Sequence, residues 1–397
     1  MTTLVLLGLF VLWTLLCLAH GGLLRAIWRE PVFRVPVLVL ESDDWGAGPA
    51  EQSTALDRLR DLLLEFRDET GRPAMMTLGV ILQTADRNAM RRSHDAGHVA
   101  LGLDESRLAA VLDAIRRGEA SGVFAPQLHG LAHYWEASLV GEAGDTPAVK
   151  EWLEGAGPGW TEELPAALQS RWIDARTLPS RALPPAEIAS AIAAEVIVWQ
   201  RIFTSPPAVA VPTTFIWNET VEKAYAEAGV RALMTPGVRF IARDEAGQPM
   251  RSGPPLLNGE RGCGNIMYLV RDVYFEPVLG HTAERLPREL ADRTKLGRPA
   301  LVETHRFNFC GPRANEAAFA ILTEGLRLVR ERTPNIRFMS SGELARAIEV
   351  GDSSWLERRF LRRCAIWARR ALCLPGFGRA ARASGLAWPL RAIGAFA

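Results

Sequence analysis

The chain has 397 residues, 48% of them hydrophobic and 23% charged, with 34 Gly, 25 Pro and a formal net charge of +1. This composition excludes a disordered segment, a collagen repeat and a long coiled coil, and it supplies enough apolar material for a sizeable core. The charge is uneven: from Gly351 to Ala397 nine Arg face only Asp352 and Glu357, a balance of +7 that leaves −6 on the first 350 residues. A mildly acidic body with a basic tail argues against nucleic acid as a partner. Cys17, Cys263, Cys310, Cys364 and Cys373 are odd in number and show no Cys-x-x-Cys spacing, which suggests neither a disulfide framework nor a thiolate zinc site and fits a reducing compartment.

In chain order, Thr3 to Leu24 runs without a charge and is about long enough, at roughly 1.5 Å per helical residue, for the roughly 30 Å hydrocarbon core of a bilayer. No Lys or Arg precedes it, which favours an uncleaved anchor over a signal peptide, so residues 1–30 are expected to form a single-pass transmembrane helix. Arg25, Arg29 and Arg34 follow the span, and the positive-inside rule then places the body on the cytoplasmic side.

Residues 31–350 alternate strand-length apolar runs with longer helix-period segments. Candidate strands are Val35–Leu40, Met75–Leu82, Val123–Leu128, Thr213–Trp217, Arg231–Met234, Ile266–Val270, Ala300–Thr304 and Ile336–Met339. Candidate helices are Ser53–Glu69, Ser106–Arg117, Pro185–Phe203, Thr220–Ala228, Glu284–Asp292, Glu316–Arg332 and Gly342–Val350. Strand followed by helix, repeated, predicts a parallel α/β architecture. The stretches Gly141–Leu183 and Ala242–Gly264 read as insertions or long loops.

The tail, residues 351–397, contains a segment from Trp355 to Leu374 whose 100° periodicity puts Leu356, Phe360, Cys364, Trp367 and Ala371 on one face and six arginines on the other. A basic amphipathic helix of this kind is expected at an anionic lipid surface, with packing on the protein's own body as the alternative.

Catalytic groups in parallel α/β folds gather at the carboxyl ends of strands. Three candidate strands end in chemistry-bearing residues: the first in Glu41-Ser42-Asp43-Asp44-Trp45-Gly46, the third in His129-Gly130-Leu131-Ala132-His133, the seventh in His305. Two imidazoles four residues apart, with a carboxylate, suit a metal site that keeps a position open, and a second carboxylate beside it suits a proton acceptor. A second His-x-x-x-His pair, His94 and His98, surrounds Gly97 in a polar stretch with no preceding strand, and reads as loop.

Ser42 to Gly46 resembles the Asp-Asp motif of the polysaccharide deacetylase superfamily, the chitooligosaccharide deacetylase-like carbohydrate esterases, and His129 to His133 resembles its histidine motif. A Pro-containing strand, Val211 to Phe215, and a late histidine strand, Leu301 to His305, follow in the family's order, so the resemblance spans about Val35 to Val350. It implies a distorted (β/α) barrel in which Asp43 is the general base, Asp44, His129 and His133 bind a divalent metal, usually zinc, and His305 is the general acid. The implied reaction removes an N-acetyl group from an amino sugar in a polysaccharide or lipid-linked glycan.

Two motifs depart from the family pattern. The Arg expected just before the proline is replaced by Ala210 and Val211, and the Asp that orients the acid histidine has no evident counterpart; Glu303, Arg271 and Asp272 are candidate substitutes. Trp45, Trp217, Asn218, Glu303, Arg306 and Asn308 are expected to contact sugar. Rival readings are an O-acetyl esterase on glycans and a non-catalytic glycan-binding membrane protein of the same fold.

Overall fold

A strand buried on both faces must be apolar on both, and Val37 to Leu40 is. The computed structural model describes residues 2–92 and 97–396 of the protein. In it the strands β1 (Val37–Gly46), β2 (Met76–Ile81), β3 (Phe124–Leu128), β4 (Val209–Ala210), β5 (Ala232–Thr235), β6 (Met267–Val270), β7 (Val273–Tyr274), β8 (Ala300–His305) and β9 (Arg337–Phe338) form one sheet. Its order is β6-β5-β4-β3-β2-β1-β8-β7, all pairs are parallel, and β9 pairs with the start of β1. The two outermost strands, β6 and β7, are consecutive in sequence and separated only by Arg271 and Asp272. The sheet therefore curls into a distorted barrel whose open seam is crossed by the chain itself.

Alternation along the strands sorts side chains between two layers. Leu38 and Leu40 of β1 join the outer core with helices α3 (Gln52–Leu64), α4 (Ala109–Ala120), α5 (Pro185–Phe203), α6 (Glu219–Glu227), α7 (Arg285–Lys295) and α8 (Glu316–Arg332). Val37 and Val39 point the other way and meet Val209, Met234, Met267, Leu269 and Leu301 inside the barrel, with Leu344 and Ala347 of α9 (Ser341–Val350). Continuing the inward row upward by twos gives Glu41 and Asp43 from β1, Glu303 and His305 from β8, and Arg271 beyond β6. An apolar floor thus carries a layer of charge at the carboxyl end of the sheet.

The helices Pro185–Phe203 and Glu316–Arg332 occupy the spans expected from periodicity. Two corrections concern strands. β1 runs six residues past Leu40 and takes in the whole Asp-Asp motif. Thr213–Trp217 is not a strand: Thr213–Phe215 is a tight turn after Pro212, with Thr214 and Phe215 at φ of 51° and 54°, and the strand lies earlier, at β4. The insertion after β3 folds around its own small core of Tyr134, Leu139, Trp152, Leu164 and Leu168, and the second insertion contains a hairpin, Arg239–Arg243 with Pro249–Ser252. All five cysteines are free thiols.

The termini depart most from expectation. The apolar segment is not one helix: α1 (Thr2–Ala19) and α2 (Gly21–Arg29) meet at His20 with a bend of 68° between Leu7–Ala19 and Gly21–Arg29, and no single helix among the described residues is long and apolar enough to cross a membrane. The His-Gly-Gly sequence explains the break, since two consecutive glycines favour a kink over continued helix.

The tail folds into α10 (Phe360–Cys373), α11 (Pro375–Ala383) and α12 (Ala387–Gly394), which join α1 and α2 in a separate apolar cluster. The arginine face of α10 does not simply confront solvent. Arg370 is buried, pairs with Glu30 and donates to the carbonyls of Ile27, Glu30, Pro31, Leu296 and Gly297, while Arg363 donates to Trp28. Orphan carbonyls at the end of α2 and around Gly297 are thereby satisfied, so the structure takes the alternative in which this helix packs on the protein's own body.

Candidate active site

Adjacent residues of a regular strand point to opposite faces, so two neighbouring carboxylates can share a rim only if the strand is broken. β1 is broken there. Its register with β2 shifts between Ser42 and Trp45, and Asp44 takes φ of +73°. This bulge keeps Asp43 in the inward row, turns Asp44 toward the same rim, and sends Trp45 into the outer core. A left-handed Asp is a strained conformation held by its surroundings, as found at functional sites. Gly79 on β2 leaves no room for a side chain beside Asp43 Oδ1.

His129 and His133 lie in the turn after β3, both buried, with Nε2 of each 3.3 Å from Asp44 Oδ1. His129 Nδ1 meets the Val211 carbonyl at 2.9 Å, so that nitrogen carries a proton and Nε2 faces Asp44. The turn is held from behind: Leu131 N–H donates to Glu195 of α5, which also accepts from Tyr225 and pairs with buried Arg171.

Candidate ligand atoms of Asp44, His129 and His133 lie within 4.8 Å of one another, and Asp44 Oδ1 is buried without a hydrogen-bond partner. An orphaned carboxylate oxygen between two imidazole nitrogens is a donor set that fits a small divalent ion. Burial drives the His133 pKa down to about 4; at His129 burial is outweighed by Asp43 and Asp44, which hold its pKa above the ordinary value; Asp44 ends well below the usual carboxylate range because the imidazoles outweigh its own burial. His133 neutral and Asp44 anionic are the states that a metal ion requires, and an ion would have to displace the proton that the carboxylates favour on His129.

Asp43 is directly opposite His305 in the β1–β8 register. Its Oδ2 accepts from Arg271 Nη2 at 2.7 Å; burial alone would raise its pKa, but Arg271, His129 and His305 bring it below the ordinary value. Arg271 thus stands where the expected motif arginine is missing, arriving from the barrel's seam instead of from the proline strand. It is fully buried and also lies 3.5 Å from Glu41 and 3.6 Å from Glu303. Three carboxylates around one guanidinium cannot all stay charged at low cost, and Glu41, deepest in the barrel, is pushed by burial to about 8.

His305 has its Nδ1 2.6 Å from Glu276 Oε1, in the loop after β7, and Asn308 donates to the other Glu276 oxygen. Burial would lower the imidazole's pKa, yet the bond and charge of Glu276 carry it up to about 10. Glu276 was not singled out in the sequence; it follows a two-residue strand and carries no motif of its own. Glu303 takes a different place, with an oxygen 3.9 Å from His305 Nε2, and Asp272 pairs with Arg293.

Asp43, Asp44, His129, His133 and His305 line one cleft of about 600 Å³, walled by Glu162, Leu164 and Gln169 of the insertion, by Thr214 and Phe215, and by Tyr274 and Phe307. None of the six residues expected to contact sugar lines it. Trp45 is spent on Ser42, Trp217 on Glu222, and Asn218 caps α6. Glu303 sits beside Arg271, Asn308 holds Glu276, and Arg306, under Trp160, clamps Glu162 and so pins the insertion to the rim. Polarity and strand-end position drew attention to these residues, but burial gives each a partner within the protein. His94 lies outside the described residues, and His98 contacts the Tyr134 hydroxyl at 3.2 Å.

No protein-family model and no curated protein matches the chain. Solved structures do. A family 4 carbohydrate esterase from Streptomyces lividans, in complex with acetate, aligns at 10% identity over 78% of this chain and 94% of its own, with a TM-score of 0.35. A Mycobacterium smegmatis structure described as a polysaccharide deacetylase aligns at 12% identity over 83% and 97%, TM-score 0.42. Carbohydrate esterases and deacetylases recur among the matches. A 4-alpha-glucanotransferase from Thermococcus litoralis also aligns, at 9% identity over 91% of this chain and 48% of its own, TM-score 0.38.

Proposed function

We propose that the protein is a divalent-metal-dependent hydrolase that removes N-acetyl groups from an amino sugar in a glycan. One observation carries the reading: a three-ligand site, Asp44, His129 and His133, lies in the same cleft as a second carboxylate, Asp43, and a carboxylate-backed imidazole, His305. A bound divalent ion would supply Lewis-acid polarisation of the acetyl carbonyl and of water. Asp43, anionic and fixed by Arg271, takes the proton of the attacking water. His305, kept protonated through neutral pH by Glu276, gives its Nε2 proton to the departing amine nitrogen. An amine is a poor leaving group unless protonated, whereas an alkoxide needs less help, so this acid favours the amide over the O-acetyl ester.

The test is metal content and turnover together. The purified chain, loaded with zinc or cobalt, should bind about one ion, lose it in the His129→Ala variant, and release acetate from N-acetylated chito-oligosaccharides. Metal binding with release only from O-acetylated sugars would favour the esterase reading; an intact fold that binds no metal would leave the non-catalytic one.

A further inference from the structure

A helix packed on a protein body normally turns its apolar face inward and shows water a polar one. α1 is apolar on both sides. Leu9, Trp13, Leu16, Cys17 and His20 recur at helical spacing on the less exposed side, and three polar side chains bond to backbone carbonyls. Trp13 Nε1 donates to the Ser384 carbonyl at 2.9 Å, His20 Nδ1 meets the Leu16 carbonyl at 3.1 Å, and the Thr14 hydroxyl donates to the Phe10 carbonyl at 2.8 Å. The other side presents Leu4, Leu7, Phe10, Val11, Leu15 and Leu18, with Leu4, Phe10 and Leu18 at least 66% exposed. Of the twenty large apolar side chains exposed among the described residues, thirteen belong to residues 2–29 and 358–396, so the bare surface is concentrated in the terminal helices.

The same two segments contain eleven Arg and not one Lys, Asp or Glu. Some of these arginines are consumed internally, as Arg370 and Arg363 are. Arg25 and Arg29 on α2, Arg379 and Arg382 on α11, and Arg391 on α12 are exposed. α11 is the helix that α1 packs against. An uncharged apolar face bordered by unopposed cations complements a bilayer whose surface carries anionic headgroups.

We propose that the terminal helices dock the protein on an anionic lipid bilayer, α1 lying in the interface with its Leu4–Leu18 face in the acyl region instead of traversing it. Three features argue for lying over crossing. α1 is held along its inner side by α11, the chain bends by 68° at His20, and the next helix carries Arg25 and Arg29. The proposal is independent of what the cleft hydrolyses.

The experiment is flotation of the full chain with vesicles of phosphatidylcholine alone or with phosphatidylglycerol added. The protein should float with the anionic vesicles and release as salt rises. Leu7→Asp with Leu15→Asp, both exposed and outside any packed core, should keep the thermal unfolding profile and lower the bound fraction by about tenfold or more. As a second variant, Arg379→Glu with Arg382→Glu should remove the preference for phosphatidylglycerol. Undiminished flotation of the leucine variant overturns the proposal. So does a lipid-free wild-type oligomer that the leucine variant dissolves and that does not float, because a second copy would then be what covers this face.

Discussion

At the rim, Asp43, Asp44 and Arg271 are ionisable groups taken out of water; in the terminal helices, Leu4, Phe10 and Leu18 are apolar groups left in it. Both arrangements are costly in isolation, and they differ in how the cost is met. Rim charges compensate one another within a few ångströms, and among the buried atoms left without a hydrogen bond Asp44 Oδ1 and Asp43 Oδ1 belong to residues that line the cleft. The terminal helices find no such compensation inside the chain for their apolar side, so the missing partner is external. Unmet demand points inward to a ligand in one region and outward to a surface in the other.

The strongest way to break this comparison is at the rim. Asp43→Asn should lower kcat for deacetylation by about 10²–10⁴-fold while leaving metal content at the wild-type level, since Asp43 is argued to move a proton and not to hold the ion. His129→Ala should abolish both. Loss of metal in Asp43→Asn would merge the two roles and remove the distinction between base and ligand.

Next comes Arg370, where the terminal helices use buried charge as the rim does. Arg370→Ala leaves the Glu30 carboxylate and several carbonyls buried with fewer partners, and urea unfolding should show a loss of about 3–5 kcal/mol. Burial pushes the Arg370 pKa down to about 10, against the pull of Glu30, so it remains a cation at neutral pH. Turnover per folded molecule should be unchanged. A change in KM or kcat would mean that the terminal helices and the cleft communicate.

How much of this was legible beforehand follows from the range of the signals. Pro185–Phe203 and Glu316–Arg332 were readable to the residue because many apolar positions repeat and a proline or an Asn cap marks the start. Asp43, Asp44, His129, His133 and His305 were readable because they end strands, and the structure brings all five to one cleft. Arg271 stood among three candidates; only the curl of the sheet, which brings the end of β6 across to β1, selects it. Glu276 was invisible, because β7 is two residues long and leaves no periodicity to locate a strand end. The six expected sugar contacts lie off the cleft for the opposite reason: their strand-end positions drew attention, but alternation and bulging turned their side chains to partners within the protein. At the N-terminus hydropathy gave the apolar length, while the break depended on His20-Gly21-Gly22, a local feature that a length argument averages away.

Glu276→Gln sharpens the rim further. It keeps the shape of the pair but removes the charge that holds the proton on His305. Turnover should fall by about 10–100-fold, and its alkaline limb should move to lower pH. In the metal-free chain, His305 has a folded pKa of about 10 against 6.5 for the free side chain. A raised histidine pKa contributes stability that is complete below pH 6.5 and fades as pH climbs toward 10. Urea midpoints for the wild type should therefore fall across that window more steeply than those for Glu276→Gln. Parallel curves would show that Glu276 orients His305 without holding it charged.

Within the rim the mildest effect on activity is expected at Glu41, where the barrel's apolar floor meets its charged layer. Burial pushes its carboxyl to about 8 from an ordinary 4.5, with Arg271 opposing and Asp43 and Glu303 reinforcing the shift. The neutral form is thus the folded form at physiological pH, and Glu41→Gln copies it, so kcat should change by less than about threefold, within about 1 kcal/mol. Stability should respond with a definite sign. Because the folded pKa is raised, the wild type loses stability as pH rises from 4.5 to about 8, where the unfolded chain ionises and the folded one does not. The variant has no such proton to lose, so its advantage should grow across that window and level off above it. If the wild type and Glu41→Gln instead keep a constant difference from pH 4.5 to 8, Glu41 is ionised in the fold, and Arg271 balances three carboxylates where the rim's economy of charge calls for two.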